Sequence, residues 1–125
     1  MEDLNHLSGE IISAAIEVHK TLGPGFLESV YEDALCIELK HRNIPFERQV
    51  KINVQYRGQP VGEGRLDLLI SKKLPVELKT VEKLAPIHQA QLLSYLKMTQ
   101  LQLGLLINFN VPILKKGIKR VILSV

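Results

Sequence analysis

Gly64-Arg65-Leu66-Asp67-Leu68-Leu69-Ile70, followed by Ser71-Lys72-Lys73-Leu74 and Pro75-Val76-Glu77-Leu78-Lys79-Thr80, is the stretch that decides the fold. It predicts two apolar strands joined by a short polar turn. Side chains alternate between the two faces of a strand, so Glu77 and Lys79 point to the same side. If residues 71–74 form a hairpin, Asp67 lies across from Glu77 on that side. The pattern therefore predicts two carboxylates and an ammonium group at one spot of an apolar sheet.

This charged cluster has two interpretations. Unpaired buried charge is costly, and two neighbouring carboxylates repel each other unless a divalent cation removes the repulsion. The cluster is therefore a hypothesis for a metal site. On spacing alone, an exposed strand face with ion pairs among Asp67, Glu77, Lys79 and Arg65 is the more common explanation.

Length and composition bound the class of protein. The 125 residues predict a single domain, 1–125, and the 46% of hydrophobic residues are enough for a packed core. The net charge of +3 permits an anionic partner without requiring one. The lone Cys36 excludes an internal disulfide, and no apolar run reaches the roughly 18–20 residues of a membrane span. Without a signal-like N-terminus, the expected location is the cytoplasm and no membrane contact is expected.

Outside the strand pair, apolar periodicity predicts the remaining elements. In chain order they are helix 4–22, helix 27–42, strand 46–57, strand 61–70, strand 74–80, helix 86–101, strand 103–109 and strand 118–125. Gly23-Pro24-Gly25 joins the two first helices into a hairpin, and Arg57-Gly58-Gln59-Pro60 is a turn. The order α-α-β-β-β-α-β-β predicts an α/β fold with a mixed central sheet flanked by helices.

The helix ends carry capping signals. Ser8, or Asp3 if the first helix starts earlier, is the expected N-cap, and Asn43 is the candidate left-handed residue after the second helix. The side chains of the second helix expected to face the core are Leu27, Val30, Tyr31, Ala34, Leu35, Ile37 (or Glu38) and Leu39.

Five short blocks in this order resemble a known family. Asp67 followed by Glu77-x-Lys79 on the next strand resembles the core motif of the PD-(D/E)xK nuclease superfamily, and the order of elements is similar too. Gly25-Phe26-Leu27-Glu28-Ser29-Val30-Tyr31 resembles the signature of the GxxExxY proteins, a bacterial and archaeal branch of that superfamily. The resemblance extends from about His19 to Arg120 and includes two further blocks, Gln91-Leu92-Leu93-Ser94-Tyr95-Leu96 and Gly104-Leu105-Leu106-Ile107-Asn108-Phe109.

The resemblance implies a restriction-endonuclease-like core and Mg²⁺-dependent hydrolysis of nucleic-acid phosphodiesters, with DNA favoured and Mn²⁺ as an alternative cofactor. It implies that Asp67, Glu77 and the backbone carbonyl of Leu78 hold the metal. Hard oxygen ligands of this kind suit Mg²⁺. Lys79 would orient the attacking water or stabilise charge on the phosphate, with Glu28 assisting and Gln91 pointing into the site.

Each of these residues also has a structural explanation. Glu28 is an acid in the first turn of a helix, where the helix dipole favours negative charge. Gln91 and Tyr95 share a helix face at i, i+4, but glutamine on an amphipathic helix is usually solvated. Four residues are expected to support the site rather than react: Tyr31, Tyr95, His19 and His88. Tyr31 and His19 are expected mainly as core residues with satisfied polar groups.

The basic residues near the C-terminus suggest a partner. Lys115, Lys116, Lys119 and Arg120 fall within six positions and are candidates for contacts with a phosphate backbone, although such runs are more often solvated surface. A small fold also makes a homodimer or a partner protein plausible. The alternative function is a non-catalytic nucleic-acid-binding or regulatory module. The nuclease hypothesis predicts that the carboxylates of Glu28, Asp67 and Glu77 lie within reach of one ion.

Overall fold

The computed structural model describes residues 2–124, which form three α-helices, a short 3₁₀ helix and five strands. In chain order these are α1 (Glu2–Leu22), α2 (Glu28–His41), β1 (Phe46–Tyr56), β2 (Gln59–Ile70), β3 (Leu74–Lys79), α3 (Pro86–Thr99), β4 (Leu103–Asn108), the 3₁₀ helix (Leu114–Gly117) and β5 (Ile118–Ile122). The predicted order α-α-β-β-β-α-β-β is confirmed. None of the helices among these residues is long and apolar enough to cross a membrane.

The five strands form one mixed sheet in the order β1-β2-β3-β4-β5. Only β3 and β4 run parallel, and the other three neighbouring pairs are antiparallel. A parallel pair needs a crossover connection, which α3 supplies. The two parallel strands lie at the centre of the sheet and are almost wholly buried, as expected for strands covered on both faces.

Helices cover both faces of the sheet. On one face, α1 and α2 pack against apolar side chains of β2, β3 and β4 and form the larger core. On the other face, Leu92 and Leu96 of α3 pack with Leu106 of β4 and Val121 of β5. Leu105 and Leu106 therefore serve opposite cores, as alternation along a strand requires. This arrangement confirms the predicted α/β class with a mixed sheet flanked by helices.

The helix starts differ from the prediction. The first helix begins at Glu2, so Ser8 lies inside it and donates its hydroxyl to the Asn5 carbonyl at 3.0 Å instead of capping the helix. Asp3 also lies within the helix. The second helix begins at Glu28, one residue later than expected, and Asn43 after it adopts the expected left-handed conformation (φ 59°).

The buried face of α2 also differs from the prediction. Three apolar residues expected in the core are exposed, namely Leu27 (75%), Val30 (36%) and Ile37 (70%). Tyr31, Leu35 and Leu39 are buried as predicted, and Glu32 and Cys36 are buried with them. Arg48 of β1 pairs with Glu32, which explains why this face of the helix, with its acid, turns toward the sheet.

Two elements end at least two residues earlier than predicted. The helix α3 ends at Thr99, because Gln100 adopts a left-handed conformation (φ 59°). The strand β5 ends at Ile122, and Val125, the last residue of the predicted strand, lies outside the described residues.

Candidate active site

A tight turn aligns the two strands that carry the acids. Ser71 and Lys72 have φ of 51° and 61°, and the Lys73 N–H donates to the Ile70 carbonyl at 3.0 Å. The pairing runs from Ile70–Leu74 to Leu68–Val76. Extending this register by one pair places Asp67 across from Glu77. The predicted hairpin at residues 71–74 is therefore present.

The ladder between β1 and β2 is interrupted at Asp67. It runs to Arg48–Leu68 and resumes at Val50–Leu66, which leaves out Gln49 and Asp67. Gln49 has a φ of 51°, a left-handed conformation that is uncommon for residues other than glycine. The ladder between β1 and β2 is therefore irregular beside Asp67.

The strand β2 changes face at the same point. Leu68 packs in the core beneath α1 and α2, whereas Gly64 lies against Tyr95 of α3 on the other face. In a regular strand both residues would lie on one face, because they are four positions apart. The change of face between them coincides with the break at Asp67. The site therefore lies where the ladder between β2 and β3 ends, beyond Leu68–Val76.

Side chains replace the missing ladder between β2 and β3. The Asp67 N–H donates to Glu77 Oε1 at 3.0 Å, and the Leu78 N–H donates to Asp67 Oδ2 at 2.8 Å. Because the N–H and C=O groups of a residue in an extended strand point to the same edge, the Leu78 carbonyl also faces this gap. Two carboxylates and one backbone carbonyl thus line the opening between the strands.

Burial and neighbouring negative charge raise the pKa values of two acids in this site. Glu77 is only 5% exposed, and burial, followed by the Asp67 carboxylate, raises the pKa of Glu77 to about 8. The pKa of the half-buried Glu28 is also raised, first by burial and then by Asp67. Lys79 opposes both shifts. Glu28, Asp67, Glu77 and Lys79 therefore share one electrostatic neighbourhood, which α2, β2 and β3 together assemble.

The family model described as the PD-(D/E)XK nuclease superfamily matches residues 5–121. The chain belongs to the PD-(D/E)XK nuclease superfamily. Among solved structures, the crystal structure of SSO0001 is similar, with a TM-score of 0.57 and 22% identity over 78% of this chain and 50% of that one. The chain thus spans about half the length of that protein, and this likeness shows the fold alone. No curated protein matches the sequence significantly.

Nucleases of this superfamily are generally dependent on a divalent metal. Within residues 2–124, no three His, Cys, Asp or Glu side chains are arranged to hold a metal ion. The expected convergence of Glu28, Asp67 and Glu77 on one ion is therefore not formed. The reason is visible in the hydrogen bonds, since Asp67 and Glu77 turn toward backbone N–H groups of the opposite strand. The remaining donor set, two carboxylates and the Leu78 carbonyl, has the hard oxygen chemistry that Mg²⁺ prefers.

Two supporting residues hold backbone segments rather than reaching the acids. The buried Tyr31 stacks on Phe109, donates its hydroxyl to the Gly23 carbonyl at 2.5 Å and accepts from the Phe26 N–H at 3.2 Å. It thereby closes the glycine turn that leads into Glu28. His19 is also buried, and its Nε2 donates to the Val111 carbonyl at 2.8 Å.

The residues of α3 have separate surroundings. His88 accepts a hydrogen bond at Nδ1 from the Ala85 N–H at 2.9 Å and so caps the helix. The Tyr95 ring lies so close to Gly64 that a methyl group there would meet Cε1 at 2.6 Å. Gln91 is exposed, and in the described part of the chain its side chain makes no hydrogen bond to the acids.

The four basic residues near the C-terminus have different surroundings. Lys116 and Lys119 line a cavity at the ends of β3 and β4. Arg120 donates a hydrogen bond to Asn5 at the start of α1, and Lys115 is exposed outside that cavity.

A second network was missed by the sequence analysis. Glu32 is 8% exposed and accepts from Arg48 Nη2 at 2.8 Å and from Gln49 Nε2 at 2.9 Å. Arg48 also donates to Asp33. The only available signal was the i, i+4 spacing of Glu28 and Glu32, which places both acids on one helix face. No such signal marks Arg48 and Gln49 in the sequence, because they occupy ordinary polar positions of an alternating strand.

The conformation of Gln49 can be tested by substitution. A β-branched residue disfavours positive φ, so Gln49→Val should lower the free energy of unfolding by about 1–3 kcal/mol. Glycine accepts this conformation, so Gln49→Gly should lose only the hydrogen bond to Glu32, about 1 kcal/mol. Urea unfolding of both variants checks whether Gln49→Val loses more unfolding free energy than Gln49→Gly. Equal losses would contradict a role for the left-handed conformation.

Proposed function

We propose that this protein is a nuclease that uses a divalent metal, Mg²⁺ or alternatively Mn²⁺, to hydrolyse phosphodiester bonds of nucleic acid, DNA above all. The observation that carries the proposal is the pairing of Asp67 and Glu77 across the opened strands, beside Lys79, in a chain of a nuclease superfamily. Residues 1–125 are proposed to form one catalytic domain that acts in the cytoplasm.

The proposed roles follow from the donor set. Asp67, Glu77 and the Leu78 carbonyl would hold the metal, which when bound supplies a nucleophilic water and polarises the phosphate. Lys79 would stabilise the charge that grows on the phosphate oxygens. Glu28, a half-buried acid with a raised pKa, is suited to hold a proton or a water molecule at the edge of the site. Gln91 is proposed to orient the substrate once nucleic acid is bound.

The turn before α2 supports assignment to the GxxExxY branch. Gly25 has a φ of 106°, which favours glycine, and Tyr31 ties the turn at both Gly23 and Phe26. Glu28 lies between Gly25 and Tyr31 in the sequence. The glycine and the tyrosine of the pattern therefore fix the backbone on either side of the acid. Tyr31, Tyr95, His19 and His88 are proposed to support the site through packing and backbone contacts.

The basic segment supports a nucleic-acid partner. Lys115, Lys116, Lys119 and Arg120 are all exposed and are proposed to contact the phosphate backbone. A homodimer or a partner protein is proposed to complete the grip on the substrate, because this small chain offers few aromatic side chains for stacking.

A second function is supported by a separate observation. The Asp67 and Glu77 carboxylates already accept backbone hydrogen bonds, and three acids do not converge in residues 2–124. Those features also fit a non-catalytic nucleic-acid-binding or regulatory module on the same fold.

Calorimetry and cleavage assays distinguish the two functions. We expect Mg²⁺ or Mn²⁺ to bind the wild type, and Asp67→Asn to weaken that binding by at least about tenfold because a charged ligand is lost. Glu63→Gln, which changes an exposed acid on the same strand, should bind metal as the wild type does. Single-stranded DNA, duplex DNA and RNA should be tested for cleavage in parallel. Metal binding that is absent from the wild type, together with intact substrates, would favour the regulatory module.

A further inference from the structure

A cavity of about 240 Å³ opens at the carboxyl ends of the parallel strands β3 and β4. Three lysines line it, Lys83 from the segment after β3 and Lys116 and Lys119 from the end of the chain. Glu82 is the one acid among the lining residues. With three positive side chains and one negative side chain, the cavity favours an anion.

The walls of this cavity are fixed by backbone contacts. Asn108 is 1% exposed, accepts from the Val81 N–H at 3.1 Å and donates to the Val81 carbonyl at 2.8 Å. It thereby pins the segment that carries Lys83. Gly117 lies so close to β4 that a methyl group on it would sit 2.3 Å from the Asn108 carbonyl oxygen. The segment that carries Lys116 therefore packs directly on the same residue, and the lysines project from a preorganised frame.

The cavity lies next to the proposed active site. Asn108, which lines it, is the register partner of Lys79 in the parallel ladder. The Phe109 N–H also donates to the Lys79 carbonyl at 2.9 Å. A chain of phosphates that passes Lys79 would therefore reach this cavity.

We propose that the cavity binds a backbone phosphate of the nucleic-acid strand, next to the phosphate that is cleaved. This inference rests on the proposed function. Lysines bind phosphate as point charges, and the side-chain amide of Asn108 is already engaged by backbone groups. The cavity thus offers charge without a free amide to read a base. It would set the position of the strand without selecting its sequence.

The chain offers matched control lysines outside both the cavity and the basic segment. Lys20 in the last turn of α1 and Lys97 in the last turn of α3 are exposed, and neither residue lines the cavity. Substitution by glutamine removes the same charge from a cavity lysine and from a control lysine. Weaker binding in the cavity variants than in the control variants therefore reports the cavity, whereas an equal change in both sets reports the general electrostatic field. Glu82→Gln removes the one opposing charge and should act in the reverse direction.

The test measures fluorescence anisotropy of a labelled single-stranded DNA in EDTA, where the metal-dependent cleavage is suppressed. We expect each of the three cavity variants to bind about 3–10-fold more weakly, namely Lys83→Gln, Lys116→Gln and Lys119→Gln. The magnitude of the slope of log K against log salt should fall by about 1 in each, because one phosphate contact is lost. Lys20→Gln and Lys97→Gln should change binding less than about twofold, and Glu82→Gln should tighten it. Circular dichroism checks that each variant folds, as exposed positions should allow.

Equal effects in the cavity variants and the control variants, or a wild type that binds no DNA, would overturn the phosphate site. The proposed function is judged separately by cleavage with Mg²⁺. If the wild type cleaves DNA while the cavity and control variants bind it equally well, the phosphate site is wrong and the nuclease assignment stands. If the cavity variants alone bind more weakly and no cleavage occurs, the phosphate site stands and the nuclease assignment is wrong.

Discussion

Replacing Lys79 with alanine is expected to lower the rate of phosphodiester cleavage by about 10²–10³-fold, the usual effect of removing one stabilising donor from a reacting centre. Lys79 is the cation that opposes the raised pKa values of both Glu28 and Glu77. Its loss leaves the acids without a counter-charge and leaves the phosphate without a partner for its developing charge. Single-turnover cleavage at saturating metal concentration measures the effect.

Lys97→Ala is the matched control, because Lys97 is an exposed lysine in the last turn of α3. It should cleave at the wild-type rate. Both variants should unfold at similar urea concentrations, since Lys79 is only half-buried and makes no salt bridge in the part of the chain described. A Lys79→Ala enzyme that retains wild-type cleavage would remove this residue from the site.

The arrangement of Asp67 opposite Glu77 was predictable because it depends on local rules. Alternation places Glu77 and Lys79 on one face, and the short polar turn sets the register. The helices followed from their apolar period in the same way. These patterns depend on neighbours in the sequence, which the sequence displays directly.

The interruption at Asp67 was not predictable, because it depends on a contact far away in the sequence. Gln49 has no intrinsic preference for positive φ and is held by Glu32, seventeen positions earlier in the chain. The buried face of α2 was misjudged for a related reason. Periodicity finds an apolar stripe, but the partner strand decides how the helix rotates, and here Arg48 draws Glu32 inward while Leu27 stays exposed.

The division of the basic segment also required the tertiary structure. Lys115 and Lys116 are adjacent in the sequence, and only the packing of Gly117 on Asn108 decides which of them meets the cavity. The same holds for the side chains of Gln91 and Tyr95, which share a helix face by spacing. Tyr95 lies against Gly64, whereas Gln91 remains exposed.

The stability of the metal-free protein is expected to fall as the pH rises from about 4.5 to about 8. Glu77 has an ordinary pKa of 4.5, and burial beside Asp67 raises it to about 8 in the folded protein. The folded state therefore binds more protons than the unfolded state across this range. The contribution is fully present below pH 4.5 and is lost as the pH rises through 8. The steepest loss for one group is about 1.4 kcal/mol per pH unit.

Urea unfolding in EDTA at several pH values measures this dependence, and the difference between wild type and Glu77→Gln isolates the group. The variant should have a flatter profile, because glutamine does not titrate, whereas Glu63→Gln should keep the wild-type slope. A divalent metal competes with the proton at Glu77, so Mg²⁺ should stabilise the wild type more at high pH than at low pH. A wild-type profile as flat as that of Glu77→Gln would show that Glu77 titrates normally. In that case the strands at Asp67 are open to water, and the acids do not form the buried pair described above.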